Sequence, residues 1–136
     1  MQLTPYLYFN GQCEEAFKFY ERTLGAKIDT VFRYGGTPAA ETVPQDWRDK
    51  VLHARLILEG NELNAADVLP EQYLKPQGFH VAVQFKDVQA GKRVFNALSE
   101  NGTVQYAFQP TFWTPGFGLV VDRFGIPWMI NCEQPT

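Results

Sequence analysis

Tyr6-Leu7-Tyr8-Phe9 is the most informative segment for the fold, because a second segment with the same kind of neighbours occurs later in the chain. Each is an apolar run that precedes an amphipathic segment, and the second copy, His80-Val81-Ala82-Val83-Gln84-Phe85, lies about 75 residues after the first. Further along each half, a turn containing Gly60 or Gly125 separates two apolar runs. Each half therefore predicts a strand, a helix and a strand hairpin.

The two amphipathic segments have helical spacing of their apolar residues. The first runs from Gln12 to Leu24 and is predicted to end at Gly25, while the second begins after Asp87, a plausible N-cap, and ends before Asn101-Gly102. We expect both apolar stripes to pack in the core. The predicted stripes are Cys13, Ala16, Phe17, Tyr20 and Leu24 in the first helix, and Val88, Gly91, Val94, Phe95 and Leu98 in the second.

Residues 52 to 67 predict a hairpin with one polar face. Alternation of apolar and polar residues predicts a strand at 52–59, and pairing of Leu58 with Leu63 places Arg55 beside Ala66. Residues 34–50 are rich in turn formers and are predicted to be a loop, and residues 101–117 predict an irregular strand, a proline-rich corner and the start of another strand. The chain is therefore predicted to be one domain, 1–136, with module 1 at about 1–68, a linker at about 69–78 and module 2 at about 79–136.

Composition narrows the class of protein. A chain of 136 residues that is 45% hydrophobic and 15% aromatic can bury a core, and a net charge of -3 with scattered Lys and Arg gives no basic surface for nucleic acid or an anionic membrane. No apolar run reaches the roughly 20 residues of a membrane helix, and the N-terminus lacks a signal-peptide pattern, so we expect a cytoplasmic protein. Cys13 and Cys132 have no metal-site spacing and are predicted to be free thiols.

Several segments together resemble a known family along nearly the whole chain. The segments that carry the resemblance are Pro5-Tyr6-Leu7-Tyr8-Phe9-Asn10-Gly11, Glu15-Ala16-Phe17-Lys18-Phe19-Tyr20, Leu24-Gly25-Ala26, His53-Ala54-Arg55-Leu56, Thr111-Phe112-Trp113 and Asp122-Arg123-Phe124-Gly125-Ile126-Pro127-Trp128-Met129-Ile130-Asn131. In these segments the chain resembles the PhnB-like branch of the glyoxalase/bleomycin-resistance/dioxygenase (vicinal oxygen chelate) superfamily. The resemblance implies an α+β fold of two βαβββ modules that form cupped mixed sheets, a cavity within each sheet, and a homodimer.

Metal-dependent members of that superfamily hold a divalent cation with His or Glu from four strands. Family spacing puts these four positions at Pro5, near Asn64, on His80 and near Met129, and a register error of two residues would substitute Ala66 and Asn131. Only His80 among them is a usual ligand, so we predict that this metal site is absent and expect no cofactor. A different set drawn from His53, His80 and Asp67 could still bind zinc or ferrous iron.

Two other kinds of chemistry are not expected. Some resembling sequences are linked to demethylubiquinone methylation, but this chain has no Gly-rich loop after a first strand, which a doubly wound nucleoside-binding fold requires. Nucleophilic catalysis is also disfavoured, because Ser99 lies near a helix end and Cys13 lies on a core stripe. No catalytic residue is assigned.

The sheet faces away from the helices are predicted to form a small-molecule site. The residues expected there are Leu7, His53, Arg55, Ile57, Asn64, His80, Ala82, Gln84, Met129 and Asn131, with Phe112 and Trp113 at a mouth or a dimer seam. Of these, the predicted ligand-binding residues are His53, Arg55, Asn64, His80, Gln84, Trp113 and Asn131. Trp128 is predicted to pack toward its helix.

Two roles are open for Arg55. It binds an anionic or carbonyl group of the ligand, or it forms an ion pair with Glu41 or Asp67 and has no other role.

For the whole protein, three functions stay open. The chain binds a small organic molecule, it is a divalent-metal lyase, isomerase or dioxygenase, or it is a structural dimerisation module with a vestigial cavity.

Overall fold

The computed structural model describes residues 1–134, which form two compact units, one of residues 1–74 and one that begins at Lys75. The first unit contains β1 (Tyr6–Phe9), α1 (Cys13–Leu24), β2 (Lys27–Arg33), β3 (Val51–Leu58) and β4 (Asn61–Asp67). The second contains β5 (Val81–Phe85), α2 (Val88–Ser99), β6 (Thr103–Gln109), β7 (Phe117–Val121) and β8 (Pro127–Cys132).

Each unit has one four-stranded mixed sheet, and the two sheets have the same connectivity. The strand orders are β1-β4-β3-β2 and β5-β8-β7-β6. In both sheets the first and last strands of the unit pair in parallel, and the other neighbours are antiparallel. The predicted α+β fold with two βαβββ modules and mixed sheets is confirmed.

The helices begin and end close to where the sequence predicts. Gly25 caps α1 with a φ of 73°, in the left-handed region that glycine adopts without steric cost, and Asp87 caps α2 by accepting a hydrogen bond from the backbone N–H of Gln89 at 3.2 Å. Both helices bury most of their predicted stripes, although Leu24, Val88 and Val94 are only half-buried. The buried helical residues are Cys13, Ala16, Phe17, Phe19 and Tyr20 in α1 and Gly91, Phe95 and Leu98 in α2.

The predicted register of the β3–β4 hairpin was wrong by two residues. Leu63 lies opposite Leu56, and Arg55 lies opposite Asn64 rather than Ala66. The cause is a two-residue turn, in which Glu59 and Gly60 both have positive φ (48° and 81°), as the tightest hairpin turns require. A shift of two residues keeps every side chain on its predicted face.

The segment Asp122 to Trp128, which contributes most to the family resemblance, closes the β7–β8 hairpin. Oδ1 of Asp122 accepts hydrogen bonds from the backbone N–H groups of Phe124 and Ile126 at 2.8 and 3.0 Å, and Oδ2 accepts one from Nε1 of Trp128 at 2.8 Å. Trp128 is buried, as predicted, and its only polar side-chain atom is thereby satisfied.

Residues 34–50 contain no strand but include two short 3-10 turns, Pro38–Thr42 and Gln45–Trp47. Both cysteines are free and buried. Within residues 1–134, no helix is long and apolar enough to cross a membrane.

Candidate functional site

Each sheet buries one face against its helix and leaves the other face, here called the open face, uncovered within its own unit. On the first sheet, strand pairing aligns Tyr6, Asn64, Arg55 and Thr30 in one row across the open face. Leu7, which was predicted to face the ligand, is only 3% exposed and lies on the opposite, buried face. Alternation along β1 explains this correction, because Tyr6 and Tyr8 take the open face and Leu7 must point the other way.

His53 on the first open face is held by a residue that the sequence argument did not assign to the site. The hydroxyl of Tyr6 lies 3.0 Å from Nδ1 of His53, and the two rings are 5.7 Å apart. Partial burial raises the pKa of the Tyr6 phenol further above its ordinary value of 10, which already keeps the hydroxyl protonated at neutral pH. Tyr6 therefore orients His53 by a hydrogen bond.

Arg55 is neutralised by two carboxylates on its own sheet. Its Nε lies 2.8 Å and its Nη2 lies 2.6 Å from Oδ2 of Asp29, and its Nη1 lies 3.7 Å from Oε1 of Glu62. The ion-pair alternative named Glu41 or Asp67 as the partner, and both assignments were wrong. These three side chains together carry a net negative charge, so Arg55 does not offer an uncompensated cation to an anionic ligand.

Asn64 lies opposite Arg55, and both side chains contact the carboxylate of Glu62. Its Nδ2 donates to Oε2 of Glu62 at 3.0 Å, while its buried Oδ1 has no hydrogen-bond partner among residues 1–134. The first open face thus brings Arg55 and Asn64 together in one charged network with Asp29 and Glu62, whereas His53 contacts Tyr6.

Asp67 is not on the open face and holds the backbone together instead. Its two carboxylate oxygens accept hydrogen bonds, both of 2.9 Å, from the backbone N–H groups of Cys13 and Val51, and its exposed fraction is 1%. Burial raises the pKa of this carboxyl, and the backbone hydrogen bonds only partly oppose the rise. Asp67 therefore ties the start of α1 to the start of β3, and it is not a companion of His53 in a metal site.

The open face of the second sheet has a different chemistry. The four strands Val81–Phe85, Thr103–Gln109, Phe117–Val121 and Pro127–Cys132 contain no Asp, Glu, Lys or Arg. Gln84 lies opposite Asn131 and accepts a hydrogen bond of 2.6 Å from its Nδ2, while the buried Oδ1 of Asn131 has no hydrogen-bond partner in the described part of the chain. The four strands therefore carry no charged side chain, and this amide pair is a polar group at the middle of their open face.

A row of aromatic rings leads from that amide pair to the tip of the proline-rich corner. Phe117 lies opposite Asn131, its ring is 5.7 Å from that of Tyr106 and 5.3 Å from that of Trp113, and Trp113 is 4.9 Å from Phe112. Trp113 is 45% exposed and Phe112 is 94% exposed.

Thr114 fixes the corner that carries these rings. Its buried hydroxyl donates to the backbone carbonyl of Cys132, and its own carbonyl accepts from the backbone N–H of Thr111 at 2.9 Å. The exposed rings are therefore attached to a corner that is bonded to β8 and within itself.

His80 lies at the start of β5, where the segment before the strand walls a cleft of about 430 Å³. Its Nε2 is 2.9 Å from Oε1 of Gln105. The lining residues are Lys75, Pro76, Gln77, Gly78, Phe79, His80, Gln105, Val121 and Pro127.

Strand pairing also bears on the four metal-ligand positions suggested by the resemblance. In the first module, Asn64 lies opposite Tyr6, and its backbone N–H donates to the carbonyl of Pro5 at 3.1 Å. In the second module, Met129 lies opposite Ala82 and not opposite His80. In the described part of the chain, no group of three or more His, Cys, Asp or Glu side chains is arranged to hold a metal ion. Absence of the superfamily's metal site stays a prediction.

Four further residues belong to these faces but were not predicted from the sequence, namely Tyr6, Tyr106, Gln105 and Phe117. Alternation within the apolar runs would have placed Tyr6 on the same open face as His53, and the register places Phe117 opposite Asn131. The contact between His80 and Gln105 joins residues 25 apart and has no local sequence signal.

Comparison with known proteins places the chain among relatives of the same fold. The model of the 3-demethylubiquinone-9 3-methyltransferase family matches residues 1–131. The chain belongs to this family. Among its relatives, Protein YjdN of Escherichia coli (strain K12) is 38% identical over an alignment of 146 positions, which covers 100% of this chain and 99% of YjdN.

Solved structures agree with this family assignment. The crystal structure of protein PA1353 from Pseudomonas aeruginosa is 41% identical, covers 99% of both chains and has a TM-score of 0.89. A PhnB protein from Bacillus cereus, described as a putative 3-demethylubiquinone-9 3-methyltransferase, is 21% identical over 98% of this chain and 100% of its own, with a TM-score of 0.83.

A member of the glyoxalase/bleomycin resistance protein/dioxygenase superfamily from Sphaerobacter thermophilus DSM 20745 is 18% identical over 98% of both chains, with a TM-score of 0.60. At these low identities, the Bacillus and Sphaerobacter structures bear on the fold alone. Together with the family model, they confirm the resemblance to PhnB-type proteins of that superfamily.

Proposed function

We propose that this PhnB-type protein binds a small organic molecule with a planar, apolar body on the open face of its second sheet. The observation that carries the proposal is the buried Oδ1 of Asn131, which has no partner among residues 1–134 and lies between Gln84 and Phe117 on an uncharged sheet. A buried acceptor without a partner costs about 1–3 kcal/mol. A ligand N–H or O–H group that donates to it would recover much of that cost.

The surroundings of Asn131 support a planar ligand body. Small-molecule sites are mostly apolar with a few convergent polar groups, and this face offers the Gln84–Asn131 amide pair beside the rings of Phe117, Tyr106 and Trp113. Aromatic rings at these separations favour offset or edge contacts with another ring. The absence of charge from the four strands favours a body that carries no charge of its own.

Methyl transfer, the activity in the family's printed description, is not part of this proposal. Nucleoside-dependent methyltransferases of the usual type use a doubly wound parallel sheet, whereas each sheet here has one parallel strand pair and two antiparallel ones.

The test uses two probes with the same ring system, 2-naphthol, which has an O–H donor, and 2-methoxynaphthalene, in which a methyl group replaces that hydrogen. We expect 2-naphthol to bind the wild-type protein about fivefold more tightly, since one neutral hydrogen bond contributes about 1 kcal/mol. Asn131→Leu should abolish this preference, whereas Asn96→Leu, on the exposed side of α2, should keep it. Ligand-observed NMR titration measures both dissociation constants, and equal preference in the two variants would refute the role of Asn131.

Trp113 distinguishes ligand binding from a structural role of the same surface. We expect Trp113→Ala to weaken binding of both probes, because its exposed ring extends the aromatic row. Sedimentation velocity of the same variant tests the homodimer that the resemblance implies. A change of oligomeric state with unchanged probe affinity would assign Trp113 to a subunit contact and favour the dimerisation module.

A further inference from the structure

The cleft beside His80 differs from the charged network around Arg55 because its described lining residues carry positive charge without a carboxylate. Among residues 1–134, Lys75 is the only residue with a full charge that lines the cleft, and no Asp or Glu of this range lines it. Lys75 forms no ion pair with the described residues, whereas Arg55 is paired with both Asp29 and Glu62. A carboxylate would therefore meet an uncompensated cation at this cleft, but not at Arg55.

The backbone of the cleft wall supplies further donors. The backbone N–H groups of Gln77, Gly78 and Phe79 make no hydrogen bond within residues 1–134. Gly78 has a φ of 83°, a left-handed conformation that interrupts any regular backbone pairing in this segment. Successive unpaired backbone N–H groups around such a residue form a concave site that favours anions.

His80 adds a side chain whose free nitrogen is defined by its neighbour. Since Oε1 of Gln105 is an acceptor, the hydrogen bond between them requires that Nε2 of His80 carry the hydrogen. Nδ1 makes no hydrogen bond within residues 1–134, and in the tautomer with the hydrogen on Nε2 it is an acceptor, so it gives a carboxylate no donor. The neutral Gln105 adds no negative charge that would oppose an anion.

The distance between this cleft and Asn131 suggests how one ligand could use both. His80 precedes Gln84 by four residues along the chain into β5, which corresponds to about 13 Å in an extended strand. Val121, which lines the cleft, is on the same open face as Leu119 and Phe117. The apolar surface is therefore continuous from the cleft to the amide pair.

From these observations we infer that the cleft is a carboxylate subsite, and that the ligand of the second sheet is a planar organic acid. Its carboxylate lies against Lys75 and the unpaired N–H groups of residues 77–79, and a hydroxyl or amine at its far end donates to Asn131. This inference rests on the proposed function and narrows it to a class of ligand.

The probes for this test are 6-hydroxy-2-naphthoate and the matched neutral 6-hydroxy-2-naphthamide, whose two substituents point away from opposite ends of the ring system. We expect the acid to bind the wild-type protein about tenfold more tightly than the amide. Lys75→Glu should abolish this preference. Lys92→Glu, which makes the same change of charge on the exposed side of α2, should leave it within about twofold.

The wild-type protein and the two charge variants give distinguishable results in ligand-observed NMR titrations. If the acid and the amide bind the wild-type protein equally, or if Lys75→Glu and Lys92→Glu keep the same preference, the carboxylate subsite is wrong while the proposed function stands. If neither probe binds, both are wrong. A preference that Lys75→Glu abolishes and Lys92→Glu retains supports the inference.

Discussion

The two sheets of this protein have the same strand order, yet the strands of the first contain Lys27, Asp29, Arg33, Arg55, Glu62 and Asp67, and those of the second contain no charged residue. Both sheets nevertheless have the same parallel and antiparallel pairs. The alternation of buried and open residues therefore specifies the fold, and charge does not. Charge on the open faces is free to differ, and we propose that this difference separates a hydrogen-bonded scaffold from a binding surface.

The contrast extends to corresponding positions in the core. Asp67 lies opposite Phe9 at the end of β4, and Cys132 lies opposite Phe85 at the end of β8. The fourth residue of each helix is Ala16 in α1 and Gly91 in α2. One module thus fills this place with a hydrogen-bonded carboxylate, and the other with a thiol beside a glycine.

The largest effect is expected at the Asp67–Cys132 pair of positions. Asp67→Ala leaves the buried N–H groups of Cys13 and Val51 without partners and should lower the free energy of unfolding by about 3 kcal/mol. Cys132→Ala removes only apolar contacts and should cost about 1 kcal/mol. Urea unfolding measures both, and similar losses in the two variants would show that the modules are stabilised alike at this place.

A smaller effect is expected where α2 meets β8. A Cβ added to Gly91 would lie 2.8 Å from Sγ of Cys132, so Gly91→Ala should lower the free energy of unfolding by about 1 kcal/mol, with the strain partly offset by the better helix propensity of alanine. In the Cys132→Ala background, the same substitution should instead stabilise by about 0.5–1 kcal/mol. A double-mutant cycle by urea unfolding tests this, and an additive cycle would contradict the contact.

The smallest expected effect concerns acid. The hydrogen bond from Arg55 holds the pKa of Asp29 below its ordinary value, so the ion pair stabilises the fold above pH 3.8 and the contribution is lost as the pH falls through the lowered pKa. The difference in urea midpoint between wild type and Arg55→Leu should therefore shrink from pH 5 to pH 3. For Gln84→Leu on the uncharged sheet, the difference should stay constant over that range.

Most of the fold could be predicted from the sequence, since the repeat, the helical stripes, Gly25 and Asp87 are local signals. The β3–β4 register could not be predicted, because a two-residue turn and a four-residue turn at Glu59-Gly60 place the same side chains on the same faces of the sheet. Arg55 could be placed on the open face, but its carboxylate partners depend on pairing of β2 with β3. The cleft beside His80 depends on Gln105, a contact across the sheet that no spacing reveals.

Asp122 in the β7–β8 turn and the buried Asp67 also differ in how far along the chain their hydrogen-bond partners lie. The contacts of Asp122 with Phe124, Ile126 and Trp128 span 2, 4 and 6 residues, whereas Asp67 reaches Val51 and Cys13 across 16 and 54 residues. Closing a short loop costs less chain entropy than closing a long one. We therefore expect the β7–β8 hairpin to be formed in the folding transition state, with φ-values at Asp122 above those at Asp67, so that the second module folds ahead of the first.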